Sequence, residues 1–192
     1  MSQGLSGSTF TIRRKVFKLL GAAFHVYNES EQVVLYSNQK AFKLKEDIRM
    51  YTGEDMQTEV LSIQARQVLD FSAAYDVVDS ITGEKVGALK RKGLKSILRD
   101  AWIVMDADDR EVGQIEEDSM AMALVRRFLT NLIPQNFTAT VNGQEVCEYR
   151  QNFNPFVQKV TVNLKPAAEG TFDRRLALAA GVLLNAIEGR QN

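Results

Sequence analysis

Apolar and polar residues alternate along most of this chain, and the alternating runs come in pairs. The two runs of a pair are separated by a short segment rich in Asp, Asn, Ser or Gly, which is the pattern of a β-hairpin. The pairs are Phe24–Asn28 with Val33–Tyr36, Ile48–Tyr51 with Glu59–Ile63, Tyr75–Asp79 with Glu84–Leu89, Trp102–Asp106 with Glu111–Ile115, and Phe137–Val141 with Gln144–Tyr149. A further run, Phe156–Val162, supplies at least one more strand.

The predicted hairpins resemble one another. The last has the clearest turn signal, Asn142-Gly143, because a two-residue type I′ turn needs positive φ at both central positions. In four hairpins the first strand has an aromatic residue followed two positions later by a small apolar one, so both side chains share a face. These motifs are Phe24-x-Val26, Tyr75-x-Val77, Trp102-x-Val104 and Phe137-x-Ala139. Convergent hairpin chemistry and a structural repeat that closes on itself both explain the likeness.

The segment that follows Asp173 predicts a helix of unusual character. Every residue from Leu176 to Leu184 is apolar or Gly, so this helix has no polar face and must be buried on all sides. A membrane span needs about 20 apolar residues, whereas this run is broken by Asn185 and ends at Glu188. We therefore expect the rest of the chain to wrap the helix.

The hairpins provide the wrapping. About ten to twelve short antiparallel strands must protect their edges, and closure into a barrel removes those edges. A barrel of that size is too wide for its own side chains to fill, so an apolar helix is a suitable core. The predicted fold is α+β, mainly β: a closed antiparallel barrel of about 12 strands around the C-terminal helix.

One further helix and the domain limits complete the predicted architecture. Ser119–Ile133 has amphipathic helical spacing, with Asp118 or Ser119 as a cap and Pro134 as a stop, and we expect it to cover an edge or mouth of the sheet. Residues 1–9 are small and polar and predict a flexible arm. No Pro- or Ser-rich linker divides the remainder, so we expect a single domain over residues 10–192.

Composition narrows the classes of function. The chain has 192 residues, 45% of them hydrophobic and 25% charged, with a formal net charge of zero, so bulk attraction to nucleic acid is not predicted. Cys147 is the sole cysteine, which excludes an intrachain disulfide. The first residues lack the features of a signal peptide, and we expect a cytoplasmic protein, peripheral at a membrane if it binds lipid.

A search for catalytic patterns yields little. His25 is the single histidine, and a His25–Cys147 catalytic pair is disfavoured because both residues are predicted in mid-strand. Asp106-Ala-Asp108-Asp109 resembles the start of a calcium loop, but Arg110 and Glu111 occupy later positions that such a loop reserves for a ligand and a glycine. Phosphate-binding glycine loops, cofactor sites and metal sites are not predicted, so we expect no enzyme activity.

Charge patterning supplies the candidate site. A basic run, defined as Lys90, Arg91, Lys92, Lys95 and Arg99, lies in a stretch without acidic residues, whereas seven acids fall between Asp106 and Asp118. Arg13, Arg14, Lys15 and Lys18 form a second basic cluster. Such asymmetry in a neutral chain predicts a dipolar surface. The basic run is interpreted either as a phosphate-binding face or as a solvated strand edge protected by lysine.

The ordered set of motifs resembles the LURP-one-related family, which belongs with Tubby C-terminal domains and phospholipid scramblases. The residues that carry the resemblance are Phe42–Ile48, Tyr75–Gly87, Trp102–Asp106, Val112–Ile115 and the helix opening Asp173–Ala180. The resemblance implies a closed twelve-stranded barrel threaded by a hydrophobic C-terminal helix. Tubby domains bind phosphoinositides through basic residues, but none of those residues is carried over here. The chain lacks the proline-rich region and cysteine cluster of scramblases.

The sequence therefore favours a non-enzymatic binding module that recognises an anionic phospholipid or phosphorylated ligand through the basic run. The alternative is a protein-interaction or regulatory module that binds no lipid. The sequence does not predict an oligomeric state.

Overall fold

The computed structural model describes residues 5–17, 21–39, 47–67, 74–92, 101–118, 134–152 and 157–187. Twelve strands and one α-helix lie within them. The strands are β1 (Thr9–Phe17), β2 (Gly21–Tyr27), β3 (Val33–Gln39), β4 (Asp47–Tyr51), β5 (Glu59–Ala65), β6 (Ala74–Asp79), β7 (Lys85–Arg91), β8 (Ala101–Met105), β9 (Glu111–Glu117), β10 (Asn136–Val141), β11 (Gln144–Gln151) and β12 (Gln158–Leu164). The helix, α1, spans Arg174–Ile187.

The strands close into a barrel, as predicted. Each strand pairs antiparallel with the next in sequence, and β1 completes the ring by pairing with β12, from Thr9 opposite Asn163 to Arg14 opposite Gln158. Since every strand has two neighbours, no strand edge is left open. The predicted helix at 119–133 lies outside the described residues, and the division at residue 9 stays a prediction.

Five hairpins share one irregularity. In each, the pairing register shifts close to the turn, so that one residue of the second strand has no partner. The extra residue is a valine every time: Val34, Val60, Val86, Val112 and Val146. The first four are each 26 positions apart. Such β-bulges increase local twist and bend the strand, which helps to curl the sheet into a barrel. The likeness between the hairpins thus extends to a repeated bulge.

The α1 helix fills the barrel. All residues from Leu176 to Ala186 are buried, together with the predicted aromatic and small apolar residues of the hairpins. At Gly181 the helix approaches the wall closely, since a Cβ atom there would lie 2.6 Å from Ile12 Cδ1 and 2.9 Å from Val162 Cγ2. Burial of the apolar helix, predicted from its lack of a polar face, is confirmed.

Charged side chains hold both ends of α1. At its beginning, Asp173 Oδ1 accepts a hydrogen bond from the Arg175 backbone N–H (2.8 Å), and Arg175 Nη1 contacts Asp79 Oδ2 of β6 (2.5 Å). At its end, the buried Arg14 donates from Nη1 to the Asn185 carbonyl (2.9 Å). A cation beside the last carbonyls complements the helix dipole. Arg14 therefore stabilises the helix from inside the barrel.

The barrel has two distinct ends. The described hairpin turns 28–32, 52–58, 80–84, 106–110 and 142–143 all lie where α1 begins, which we call the turn end. The opposite end, where α1 finishes, we call the helix-exit end. At the turn end, Glu29 Oε1 accepts hydrogen bonds from the Ser8 and Thr9 backbone N–H groups and thereby fixes the start of β1.

Candidate anion-binding surface

The described members of the basic run do not share one face. Arg91 pairs with Trp102, whose ring is buried in the barrel, so Arg91 belongs to the inward-facing positions. Lys90 pairs with Ile103 and faces outward, as does Lys92. This split follows from the alternation of side chains along a strand. Lys95 and Arg99 lie outside the described residues.

The two outward lysines have different surroundings. Lys92 Nζ donates to Gln114 Oε1 (2.9 Å) and lies 4.0 Å from Glu116 Oε1, on β9. Lys90 forms no ion pair within the described part of the chain. The candidate site on β7 thus contains one lysine without an acidic partner and one that is already engaged.

Nearer the turn end, the charges on this flank neutralise one another. Lys85 Nζ lies 2.6 Å from Asp109 Oδ1 and 3.2 Å from Asp76 Oδ1, and Arg66 contacts both of these carboxylates. The Lys85 and Arg66 cations hold the pKa of the Asp109 carboxyl below its ordinary value. Lys85 is therefore committed to a structural network and is not part of the candidate surface.

The second basic cluster is divided by the barrel wall. Arg14 points inward to the end of α1, whereas Arg13 and Lys15 face outward on β1. Lys18 lies outside the described residues. Ring closure brings Lys159 of β12 opposite Arg13. Lys159 was not predicted as a site residue. The sequence indicates only that it is a charged residue on the polar face of an alternating strand, next to Val160.

Acidic side chains predominate in the described turns at the turn end. The turns 28–32, 52–58, 80–84 and 106–110 contain one base, Arg110. Their acids are Glu29, Glu31, Glu54, Asp55, Glu84, Asp106, Asp108 and Asp109. Four cations that form no ion pair within the described residues lie on the strands away from these turns: Arg13, Lys15, Lys90 and Lys159. An anionic ligand would therefore meet a favourable potential on the barrel flanks and repulsion at the turn end.

The two residues considered for nucleophilic chemistry are separated. Cys147 pairs with Ala139 and faces the interior, where burial raises the pKa of its thiol to about 12. His25 lies on the outer side of β2, where its Nε2 is 2.8 Å from Glu54 Oε1. The barrel wall stands between them, so they do not form a catalytic pair. A thiol with such a high pKa is a poor nucleophile at neutral pH.

The acidic segment at 106–110 is a turn, as its sequence predicts. Asp106 Oδ1 accepts hydrogen bonds from the backbone N–H groups of Asp108 and Arg110, both at 2.9 Å. Asp106 Oδ2 also contacts Arg110 Nε (2.8 Å). Within the described residues, no group of three or more His, Cys, Asp or Glu side chains is placed to hold a metal ion.

A cavity of about 930 Å³ opens at the turn end. Its apolar surface includes Val86, Val112 and Leu176, and Arg174 lines it at the beginning of α1. This volume falls in the range of small-molecule sites. The cavity is lined by three acidic residues, Asp106, Glu169 and Asp173, and by two basic residues, Lys165 and Arg174. We therefore do not assign the anionic ligand to it.

The comparison with protein families identifies one match. The family model described as LURP-one-related matches residues 33–185 of the chain. The comparisons with curated proteins and with solved structures give no match. No described helix is long and apolar enough to cross a membrane.

Proposed function

We propose a function for this chain, which belongs to the LURP-one-related family. It is a non-enzymatic binding module for an anionic phospholipid or a phosphorylated ligand. The family and the filled barrel are compatible with a binding module. The ligand class, the use of the basic run and a cytoplasmic location at a membrane periphery are parts of the proposal.

The separation of charge between the turns and the flanks is the observation that carries this proposal. Acidic turns lie at one end of the barrel. Lys90 of β7 forms no ion pair within the described residues and lies two positions before Lys92. An anionic surface would orient the protein with its acidic turns away and the β7 flank that carries Lys90 closest. Because α1 occupies the interior, the ligand is expected on the outer surface.

Vesicle flotation tests the proposal. The protein should float with phosphatidylcholine vesicles that contain phosphatidylinositol phosphate and stay behind with phosphatidylcholine alone. Lys90→Ala combined with Lys92→Ala should weaken flotation, and added salt should weaken it further because screening reduces attraction between exposed charges. Equal recovery with both kinds of vesicle would overturn the lipid-binding function.

Arg110→Ala provides a matched control. Arg110 is basic and exposed, but it lies in the acidic turn 106–110 and is paired with Asp106 and Asp108. Its removal should leave flotation unchanged. A loss equal to that of the Lys90/Lys92 variant would show that net charge, rather than a basic face, controls binding.

Exposed apolar residues favour a protein-interaction module as the second candidate. Within the described residues, the exposed large hydrophobic side chains are Val33, Met56 and Ile81, and Met56 and Ile81 lie in acidic turns. Ile81 is the most exposed, at 63%. A partner with a basic and apolar surface would suit these turns. Loss of a co-purifying partner on Ile81→Ser, with flotation retained, would support this function over lipid binding.

A further inference from the structure

Two cations face each other where the barrel closes. Arg13 of β1 and Lys159 of β12 are directly opposite in the antiparallel register, and both lie on the outer face because Ile12, Arg14 and Val160 point inward. Side chains so placed have Cβ atoms about 4.5–5.5 Å apart. Lys15 lies two residues further along the same face of β1. We call Arg13, Lys15 and Lys159 the closure cluster.

The closure cluster differs in its pairing from most other described cations. Most cations of the described residues have carboxylate partners, including Arg49, Arg66, Lys85, Lys92, Arg110, Arg150, Lys165 and Arg175. Within the same part of the chain, none of the three cluster residues forms an ion pair. Like charges directly opposite each other on paired strands are destabilising. Among the described residues the cluster is therefore a local concentration of positive charge without an ion pair of its own.

The Arg13 side chain is also held against the barrel. Its Nε is excluded from solvent and has no hydrogen-bond acceptor among the described residues, so the side chain is packed at that atom instead of being freely extended. Lys15 and Lys159 are exposed. One partly buried guanidinium with two exposed ammonium groups suits a small anion with several oxygens, because Arg presents a planar set of donors and Lys contributes an adaptable point charge.

We propose that the closure cluster is a binding site for a phosphate group, carried either by a soluble phosphorylated molecule or by a lipid headgroup. A phosphate between Arg13 and Lys159 would replace repulsion across the closing strand pair with attraction to both. This inference shares its ligand chemistry with the proposed function but uses another place. In a ring of twelve strands, β1 is six strands from β7, so the two sites lie on opposite flanks.

Thermal unfolding of charge variants tests the site. Unfolding is followed in sodium phosphate and in sodium chloride of equal ionic strength, for the unaltered chain and for Arg13→Gln with Lys159→Gln. At phosphate ten times above its dissociation constant, the unaltered chain should gain about 3–5 °C in Tm, and the variant should lose this gain. Phosphate also stabilises proteins by exclusion from their surface, so the difference between variants is the measurement.

Lys159→Glu separates a binding site from an ordinary exposed patch. An acid opposite Arg13 should raise Tm in chloride by about 1–2 °C, since it replaces repulsion with a surface ion pair. The same change should abolish the phosphate-dependent gain. A higher Tm in chloride together with a lost phosphate-dependent gain is the result expected if the cluster binds an anion. An unchanged phosphate response in Lys159→Glu would overturn the proposal.

Vesicles and a second variant identify the source of the phosphate. Phosphatidylcholine vesicles with and without phosphatidic acid are compared by flotation. If Arg13→Gln with Lys159→Gln impairs flotation, the phosphate belongs to a lipid; if it impairs only the response to inorganic phosphate, the ligand is soluble. Lys90→Gln with Lys92→Gln is the matched control. Losses confined to that control would refute the closure cluster as a phosphate site and leave the proposed function intact. Losses confined to the Arg13→Gln and Lys159→Gln variant would support the closure cluster and refute the use of Lys90 and Lys92.

Discussion

Gly181→Ala is the most direct test of how the helix fits inside the barrel. Alanine is favoured over glycine within a helix by about 0.8–1.0 kcal/mol, so propensity alone predicts a more stable protein. The structure predicts the opposite. The new Cβ would lie 2.6 Å from Ile12 Cδ1 and 2.9 Å from Val162 Cγ2, both closer than ordinary van der Waals contact.

The size of the effect follows from two opposing contributions. Overpacking of a filled core typically destabilises by about 1–3 kcal/mol. Since the helix gains somewhat less than 1 kcal/mol from alanine, we expect a net loss of about 1–2 kcal/mol. For a domain of this size, that loss lowers Tm by roughly 2–8 °C. Urea unfolding followed by circular dichroism measures the free energy directly.

Ile12→Val provides the matched rescue. This change removes the Cδ1 atom nearest to the new methyl group and by itself should destabilise by about 0.5–1.5 kcal/mol. In the double variant the two losses should be less than additive, with a coupling of at least about 0.5 kcal/mol. The rescue is partial because Val162 stays in place. A Gly181→Ala protein as stable as the unaltered chain, or strictly additive losses, would refute close packing at this point.

Four further outcomes are expected. Leu183→Asp places a charge among buried apolar residues and should destabilise by several kcal/mol, so that little folded protein is recovered; a soluble variant with an unchanged unfolding transition would contradict central burial. Asp173→Ala removes both the side-chain acceptor at the start of α1 and the ion pair with Arg175, and should destabilise by about 1–2 kcal/mol in urea unfolding. Asp173→Asn loses the ion pair but keeps an acceptor and should destabilise less; equal losses would argue against capping. Cys147 should react with a thiol reagent only after denaturation, because burial raises its pKa to about 12, and rapid native reaction would disprove this. Because the pKa of Asp109 is lowered in the folded protein, its ion pairs contribute stability at pH values above the ordinary carboxyl pKa near 4. This stability is lost as the pH falls through the lower folded pKa. Asp109→Asn should reduce this acid dependence of Tm, and an identical pH profile would exclude the contribution.

The barrel was predictable because its signals are local. Alternation located β2 to β12, whereas no strand was predicted at β1. Asn142-Gly143 has the positive φ values, 50° and 79°, that its turn requires. The apolar segment Leu176–Leu184 had to be buried on all sides, and the predicted hairpins could surround it. The valine bulges were not predicted, because a register shift depends on which residue of the neighbouring strand lies opposite.

The candidate site was less predictable because it depends on pairing between distant strands. Alternation alone separates Arg91 from Lys90 and Lys92 once β7 is known to continue through Arg91. By contrast, the role of Arg14 requires the position of the Asn185 carbonyl, and the closure cluster requires that β12 return beside β1. Neither relation is present in any short segment of the sequence.

The position of α1 after all twelve strands constrains the order of folding. During synthesis on a ribosome, the strands emerge before the helix that supplies their core, so their inner apolar faces have no permanent partner at that stage. The ring also closes between the first and the last strand, a pairing of high contact order that slows folding. Completion of the barrel therefore requires the helix, and the incomplete chain, with its apolar strand faces uncovered, is the state in which aggregation is expected.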